Sequence, residues 1–122
     1  MTERPHKKLE VYKKSILMLK LVYQTANLLP SDEKFGLISQ IKRAAISVPV
    51  NIAEGAARQT GKEFKQFLYI SSGSLSELES LFEITYELEF IDKETYNNLQ
   101  NTFREISAML SGLIRSINKN TT

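Results

Sequence analysis

Apolar side chains recur at helical spacing along most of the chain, and no segment alternates as a strand would. Four stretches carry this pattern, separated by turn signals at Pro30, between Gly55 and Gly61, and ahead of Asp92. The pattern predicts an all-α fold, an antiparallel up-and-down four-helix bundle in a single domain, 1–122. The helices are predicted approximately at residues 7–28, 32–58, 61–89 and 92–118.

Three of the predicted helices carry one apolar seam each, spaced three and four residues apart, which should face the core. The first seam is Leu9, Tyr12, Ile16, Leu19, Tyr23 and Ala26; the third helix has Phe64, Phe67 or Leu68, Ser71, Leu75, Leu78, Phe82 and Thr85; the fourth has Tyr96, Leu99, Phe103, Ile106, Leu110, Leu113 and Ile117. The small run at residues 71–74 interrupts none of this periodicity, so it predicts close helix packing rather than a linker.

Cap residues precede three of the helices. The predicted caps are Ser31, with Asp32 and Glu33 in the first turn, for the second helix, Thr60 with Glu63 as a capping box for the third, and Asp92 for the fourth. Pro49 lies inside the second helix, where a proline costs about 3 kcal/mol. We expect a kink there rather than a break, because the apolar period continues on both sides.

Residues 40–58 sort into two opposite faces when placed on a helix. The polar stripe is Arg43, Ser47, Asn51, Glu54 and Arg58, and the opposite core face is Ile41, Ala45, Val48, Ile52 and Ala56. Ile46 and Val50 lie on the flank between these faces and widen the apolar surface. Together with the small run at 71–74 they predict a second packing surface, and therefore a homo-oligomer.

Composition narrows the class of protein. The chain has 122 residues, 42% of them apolar and 25% charged, which is ordinary for a globular domain. No apolar run approaches the roughly 20 residues of a membrane span, so we expect no membrane partner. The absence of cysteine excludes a disulfide framework. The initial MTERPHKK lacks the apolar region of a secretory signal, and cytoplasmic localisation is the expectation.

Charge is distributed unevenly. Residues 1–65 hold 12 Lys or Arg against 6 Asp or Glu, whereas residues 66–122 hold 4 against 8. Antiparallel helices would place these halves side by side, where the asymmetry serves either partner binding or subunit docking.

Catalytic chemistry finds little support in the sequence. The only histidine, His6, lies in the charged leader, so one chain assembles neither a catalytic histidine dyad nor a histidine metal cluster. The glutamates at residues 77–89 lack the Glu-x-x-His pairs of di-iron bundles and are typical of a solvated acidic face. Serines have no base to activate them, and no glycine-rich phosphate loop is present. We expect no enzymatic activity, no cofactor and no metal.

Two segments resemble a known family. They are LLPSDEKFGLISQIKRAAISVPVNIAEGAAR and KEFKQFLYISSGSLSELE. The order and spacing typical of that family are matched at Arg43-Ala44-Ala45, Ser47, Pro49, the run 51–55, Arg58, Gly73-Ser74-Leu75 and Glu77. The chain resembles the bacterial four-helix bundle proteins encoded in intervening sequences of large-subunit (23S) ribosomal RNA genes. A related branch includes the accessory protein of diversity-generating retroelements.

The resemblance implies an up-and-down bundle that assembles into a homopentameric ring. It also implies a basic surface that meets RNA or a nucleic-acid-associated protein, and no established catalytic activity. Two positions depart from the family pattern. Lys42 stands where many relatives have arginine and lacks the planar guanidinium fork, and Ser71-Ser72 replaces an alanine that is often followed by a basic residue.

Two functions from different classes remain open. In the first, the protein binds nucleic acid through Lys42, Arg43, Arg58, Lys62 and Lys65 together with the basic first helix, whose lysines are Lys7, Lys8, Lys13, Lys14 and Lys20. In the second, it is a structural or protein-interaction assembly, and the polar stripe residues Ser47, Asn51 and Glu54 join subunits. The stripe arginines fit both roles, since arginine binds phosphates and also forms interfacial ion pairs.

Overall fold

The computed structural model describes residues 4–120, which form four α-helices and no strand. The helices are α1 (Glu10–Ala26), α2 (Leu37–Ala56), α3 (Gly61–Glu87) and α4 (Lys93–Asn120), with short 3-10 turns at Pro5–Lys8 and Ser31–Glu33. Each helix packs against the helices on either side of it, including α1 against α4. The predicted all-helical architecture is confirmed.

Contacts between helices show that neighbours run antiparallel. Along the α2–α3 seam, Gly55 lies against Phe64, and Arg43, three turns earlier in α2, reaches Glu77. Between α3 and α4, Lys65 bonds Asn118 at one end, and Phe82 packs on Phe103 with ring centroids 5.8 Å apart. Lys14 of α1 pairs with Glu105 of α4 at 3.0 Å, which fits the same antiparallel register.

The second helix begins later than predicted. Ser31 does not cap it, because Ser31–Glu33 forms a separate 3-10 turn and α2 starts at Leu37. Gly36 has φ −112° and ψ −102°, a combination outside the helical region that interrupts the helix between the turn and α2. The first helix also ends earlier, at Ala26.

Two predicted caps are confirmed. The Thr60 hydroxyl accepts a hydrogen bond from the Glu63 backbone N–H at 3.2 Å and lies 2.9 Å from the Glu63 carboxylate. The Asp92 carboxylate accepts from the Thr95 backbone N–H at 2.8 Å. These bonds satisfy N–H groups that the first turn of a helix leaves unpaired. Helix α2 continues through Pro49, so the proline does not break it.

The predicted core seam of α1 is wrong in register except at Ala26, which is buried. The buried residues of α1 are Val11, Ser15, Met18, Val22, Thr25 and Ala26, whereas Leu9, Tyr12, Ile16, Leu19 and Tyr23 are only half-buried. Ser15 and Thr25 can face the core because each hydroxyl donates to a carbonyl of its own helix, Tyr12 at 2.7 Å and Leu21 at 2.9 Å. Leu9, Tyr12 and Leu19 instead pack against the edge of the core.

The other predicted seams agree with the buried core. In α2 the predicted face is buried from Ile41 to Ile52, with Ala56 half-buried at the end. In α3 the seam is buried from Leu68 to Thr85, and in α4 from Leu99 to Leu110 and at Ile117. Ile46 and Val50, predicted as a flank, are 42% and 50% exposed.

Close approach of α2 and α3 depends on small residues. An alanine methyl at Gly55 would lie 2.8 Å from Phe64 Cδ1 and 2.9 Å from Phe67 Cβ. Farther along, the Ser71 hydroxyl donates to the Val48 carbonyl, and Ser74 Oγ lies 2.7 Å from Ser47 Oγ. The close packing predicted for residues 71–74 is confirmed at these two serines, whereas Gly73 faces open space.

Gly55→Ala is expected to lower the free energy of unfolding by about 1 kcal/mol, because the overpacking cost of about 1–3 kcal/mol exceeds the gain in helix propensity. Gly112→Ala is the matched control, since its methyl would meet only the end of Arg115 at 3.8 Å. That control should raise the free energy of unfolding by about 0.5–1 kcal/mol. Urea denaturation measures both, and a stabilised Gly55 variant would contradict the close approach.

The cap of α4 should make stability depend on pH. Hydrogen bonds from the Thr95 side chain and backbone N–H hold the pKa of Asp92 below its ordinary value. A carboxyl whose pKa is lowered on folding contributes stability above its unfolded pKa of about 3.9 and loses it as pH falls through the folded pKa. The melting temperature of the native protein should therefore fall more than that of Asp92→Asn between pH 5 and pH 2. Parallel curves would contradict this prediction.

Candidate nucleic-acid interface

The predicted polar stripe lies along the seam between α2 and α3. Asn51 Nδ2 donates to the Ser47 carbonyl at 2.8 Å and to Ser47 Oγ at 2.9 Å, and Ser74 of α3 extends the network. Ser47 and Asn51 are half-buried and bonded within one chain. These hydrogen bonds stabilise the packing of α2 against α3 within one chain. Among the described residues, no buried side-chain polar atom is left unpaired.

Both stripe arginines have acidic partners in the same chain. Arg43 Nη2 lies 2.7 Å from Glu77 Oε2 across the seam, and Arg58 Nη2 lies 3.2 Å from Glu54 Oε2 one turn earlier in the chain. The Arg58 guanidinium also lies over the Phe67 ring, 4.6 Å from its centroid. These are solvent-exposed ion pairs of modest strength, so each guanidinium can still exchange its carboxylate partner for a phosphate.

The three lysines of the predicted interface have different surroundings. Lys42 Nζ lies 3.4 Å from Asn27 Oδ1 and 4.9 Å from the centroid of the Tyr23 ring, on the side of α2 that faces α1. Lys65 Nζ lies 2.6 Å from Asn118 Oδ1 of α4. Lys62 is exposed in the first turn of α3.

The five predicted basic residues form two groups rather than one patch. At 1.5 Å per residue, the 16 residues from Lys42 to Arg58 separate them by roughly 24 Å along the axis of α2. Arg58, Lys62 and Lys65 lie together, because the turn at residues 57–60 brings the end of α2 beside the start of α3. Lys42 and Arg43 lie in the other half of the bundle.

The antiparallel arrangement gathers further basic residues around Arg58. The end of the bundle that holds the α2–α3 turn also holds the start of α1 and the last turns of α4. We call it the basic end; its Lys and Arg residues with described side chains include Arg4, Lys7, Arg58, Lys62, Lys65, Arg115 and Lys119, and its acidic residues include Glu10, Glu54 and Glu63. Arg4, Arg115 and Lys119 are additions to the predicted interface, because they lie far from α2 along the chain and only the packing brings them to this end.

The opposite end of the bundle has the opposite charge. It holds the α1–α2 connection and the α3–α4 turn, and its acidic residues include Asp32, Glu33, Glu83, Glu87, Glu89, Asp92 and Glu94, against Lys34, Lys93 and Lys42, which lies beside Asn27. The charge asymmetry of the sequence therefore also becomes a polarity along the long axis. A polyanion approaching the molecule meets an attractive potential at the basic end and a repulsive one at the other.

The predicted basic face of α1 is partly neutralised. Lys13 Nζ lies 3.3 Å from Glu10 Oε1, and Lys14 pairs with Glu105 of α4. Lys20 is exposed. The side chain of Lys8, which was also predicted, lies outside the described part of the chain.

Other kinds of site have little support within residues 4–120. These residues contain no group of three or more His, Cys, Asp or Glu that could hold a metal ion. No helix among them is long and apolar enough to cross a membrane. His6 packs edge-on against Tyr12, with ring centroids 4.7 Å apart, in the turn before α1.

The structure thus defines an antiparallel four-helix bundle with a basic end. The chain belongs to the family of 23S rRNA-intervening sequence proteins, whose family model matches residues 7–112. The resemblance drawn from the sequence is therefore confirmed.

A solved structure has the same fold. The chain is similar to a protein of unknown function from the S23 ribosomal protein family of Bacteroides thetaiotaomicron VPI-5482, with a TM-score of 0.80 and 28% sequence identity. The alignment covers 85% of this chain and 97% of that one. No curated protein matches this chain.

A double-mutant cycle on Arg43 and Glu77 tests whether their ion pair stabilises the α2–α3 seam. Arg43→Gln and Glu77→Gln, singly and together, should show a coupling of about 0.2–1 kcal/mol in urea denaturation, as expected for an exposed pair. The coupling should shrink when salt is raised from 0.05 to 0.5 M. Zero coupling at low salt would mean that Arg43 is not engaged with Glu77 in solution.

Proposed function

We propose that this protein is a non-enzymatic, cytoplasmic RNA-binding accessory protein that contacts the phosphate backbone through its basic end. The observation that carries the proposal is the convergence on one end of the bundle of basic residues from the turn before α1, the α2–α3 turn, the start of α3 and the last turns of α4. The family resemblance also implies a basic surface that meets RNA or a nucleic-acid-associated protein.

The size of the basic end suits a backbone contact. Packed helices lie about 8–10 Å apart, so charges from four helices spread over roughly 20 Å. A nucleic-acid duplex presents several phosphates over that distance, and their neutralisation releases counterions. The proposed contacts at this end are Arg58, Lys62 and Lys65, supported by basic residues from the turn before α1 and from α4.

Recognition of base identity has less support. Two aromatic rings near the basic end already have protein partners: Phe67 lies beneath Arg58, and Phe64 packs against Gly55. They are therefore poor stacking platforms for bases, which leaves Tyr69, 59% exposed one turn after Lys65, as a single ring on which a base could stack. We infer a contact that positions RNA through its backbone with little sequence preference.

Lys42 and Arg43 form a separate candidate contact. They lie in the other half of the bundle, and Arg43 is paired with Glu77. An RNA long enough to pass along α2 could reach both groups, whereas a short one binds only the basic end.

Self-association is the second part of the proposal. Ile46 and Val50 are exposed on the outer side of α2, as a contact between copies requires. A homopentameric ring is what the family resemblance implies. In a ring, several basic ends act on one RNA, which raises the overall affinity without any new contact.

A structural or protein-interaction assembly is the second candidate function. The exposed apolar side chains of α2 and α3 favour this alternative, because exposed apolar surface is typical of contacts with proteins rather than with phosphates. Under this alternative the basic end docks an acidic protein surface, and RNA binding is absent.

Replacing Lys62 and Lys65 together with Gln is expected to weaken binding to unrelated RNA sequences by a similar factor. Each lost phosphate contact removes about 0.7–0.9 of a released counterion, so the slope of log affinity against log salt should fall by roughly 1.4–1.8. The measurement is a fluorescence-anisotropy titration with structured 23S rRNA fragments across a salt series.

Replacing Lys34 and Lys93 with Gln provides the matched control. It removes the same charge from the acidic end, and its salt slope should stay close to that of the unmodified protein. An equal fall of the salt slope in both double variants would mean that only net charge matters. An unchanged slope in the Lys62 and Lys65 variant would exclude the basic end from the RNA contact. No measurable binding to any RNA favours the assembly function.

A further inference from the structure

Tyr69 presents an aromatic ring to solvent beside the basic end. Among the described residues, only Tyr69 and Phe35 are exposed aromatic residues, at 59% and 90%. Phe35 lies at the acidic end, where Lys34 Nζ is 5.6 Å from the centroid of its ring. Within residues 4–120, the Tyr69 ring packs on no other ring and its hydroxyl makes no hydrogen bond. One face of this ring is therefore free to bind a planar ligand.

Two lysines precede the ring on the same side of α3. Lys65 lies one turn before Tyr69 and Lys62 two turns before it, roughly 6 and 10 Å away along the helix axis. Long side chains on a helix lean toward its N-terminus, so the Tyr69 ring extends toward these lysines. Lys65 Nζ lies 2.6 Å from Asn118 Oδ1, and an ammonium group has three donors, so two remain for a phosphate.

The acidic side chains nearest to Tyr69 along α3 already have partners. Glu63, six residues earlier, accepts a hydrogen bond from the Thr60 hydroxyl at 2.9 Å, and Glu77, eight residues later, pairs with Arg43. No Asp or Glu lies between these two glutamates in the sequence. The lysines therefore dominate the potential around the ring, and this potential attracts a phosphate backbone.

Helix α4 adds positive charge at the level of Tyr69. Because α3 and α4 are antiparallel and Lys65 bonds Asn118, the turn after Lys65 lies beside the turn before Asn118. That turn of α4 holds Arg115, which is exposed. No Asp or Glu follows Glu105 in α4. A nucleic-acid strand that passes the ring therefore meets basic side chains on both helices.

The surface on the other side of the ring is open. Gly73 lies one turn after Tyr69, and a methyl group added there would meet no atom within 4 Å. A side chain on a helix covers the turn that precedes its own Cα, so a large residue at this position would lie over Tyr69. The glycine leaves room for a base beside the ring.

We propose that the Tyr69 ring stacks on one unpaired base of a bound RNA, while the neighbouring phosphates contact Lys62 and Lys65. The inference rests on the proposed RNA-binding function and names the feature of the RNA that this surface selects. Bases in loops, bulges and ends can be splayed out and stacked on aromatic side chains, whereas bases inside a duplex are stacked on each other. Every base has a π-face, so the contact selects an unpaired nucleotide with little preference for its identity.

Two RNA probes test this selection: a duplex with one bulged nucleotide, and the same duplex fully paired. The unmodified protein should bind the bulged duplex more tightly in a fluorescence-anisotropy titration. Tyr69→Ala should weaken binding to the bulged duplex by roughly 5- to 150-fold, the range expected for the loss of one base–aromatic stack, and leave the paired duplex unchanged. Its salt slope on the bulged duplex should stay the same, because the substitution removes no charge.

Three further variants control for the position and the face of the ring. Tyr69→Phe keeps the stacking face and should bind both probes as the unmodified protein does. Phe35→Ala removes the exposed ring at the acidic end and should also change neither affinity. Gly73→Leu keeps the ring but covers it, so it should lose the preference for the bulged duplex. Leucine is a better helix former than glycine and meets open space there, so the fold should be kept.

A change in the RNA tests the same contact from the other side. An abasic nucleotide in the bulge keeps the sugar and phosphates but lacks the base. The unmodified protein should bind this abasic duplex more weakly than the bulged one, by about the factor that Tyr69→Ala causes. Tyr69→Ala should have no further effect on the abasic duplex, because ring and base act as a pair. Two effects that simply add would overturn the inference.

The other outcomes separate this inference from the proposed function. Equal binding of the bulged and paired duplexes by the unmodified protein would overturn the inference. A Tyr69→Ala variant with altered sedimentation or helix content, or with equal losses on both probes, would overturn it too, since the ring would then serve the fold or a protein contact. Absence of binding to any RNA would overturn the inference and the proposed function together. A reduced salt slope in the Lys62 and Lys65 variant, with no effect of Tyr69→Ala, would overturn the inference alone.

Discussion

The close approach of α2 and α3 is the constraint on which the rest of the structure depends. Gly55 leaves room for two phenylalanine side chains, and Ser71 and Ser74 bond to α2 instead of holding it away. Larger residues at these positions would separate the helices and open the core, because protein interiors tolerate few voids. The same approach places Arg43 within reach of Glu77. The polar stripe of α2, which could be taken for a ligand site from the sequence alone, is thus largely the polar edge of the seam between α2 and α3.

Antiparallel packing also converts a simple charge pattern along the chain into two separate properties of the surface. Across the bundle, the basic pair α1 and α2 lies beside the acidic pair α3 and α4. Along the bundle, basic residues from the turn before α1, the α2–α3 turn, α3 and α4 meet at one end, and acidic residues meet at the other. The first pattern suits contacts between copies and the second suits a polyanion, so self-association and RNA binding can use different surfaces of one small domain.

Helix α1 shows why periodicity alone does not identify a core face. Its large apolar residues repeat at helical spacing, yet the buried face includes Ser15 and Thr25, whose hydroxyls are satisfied by their own backbone. A small, internally bonded polar residue costs little to bury and fits where helices lie close. The displaced apolar side chains then form a groove with α2, which the single chain leaves uncovered.

Local physics in the sequence determined the helical class, the cap residues Thr60 and Asp92, and the seams of α2, α3 and α4, because spacing and capping act within a few residues. Tertiary structure decided the start of α2, the register of α1 and the partner of Arg43, since each depends on what another helix leaves room for. It also decided that Lys42 and Arg58 lie in different halves of the bundle while Arg58 and Lys119 share one end. Residues far apart along the chain can be neighbours in the bundle, and only the packing of the helices shows which ones are.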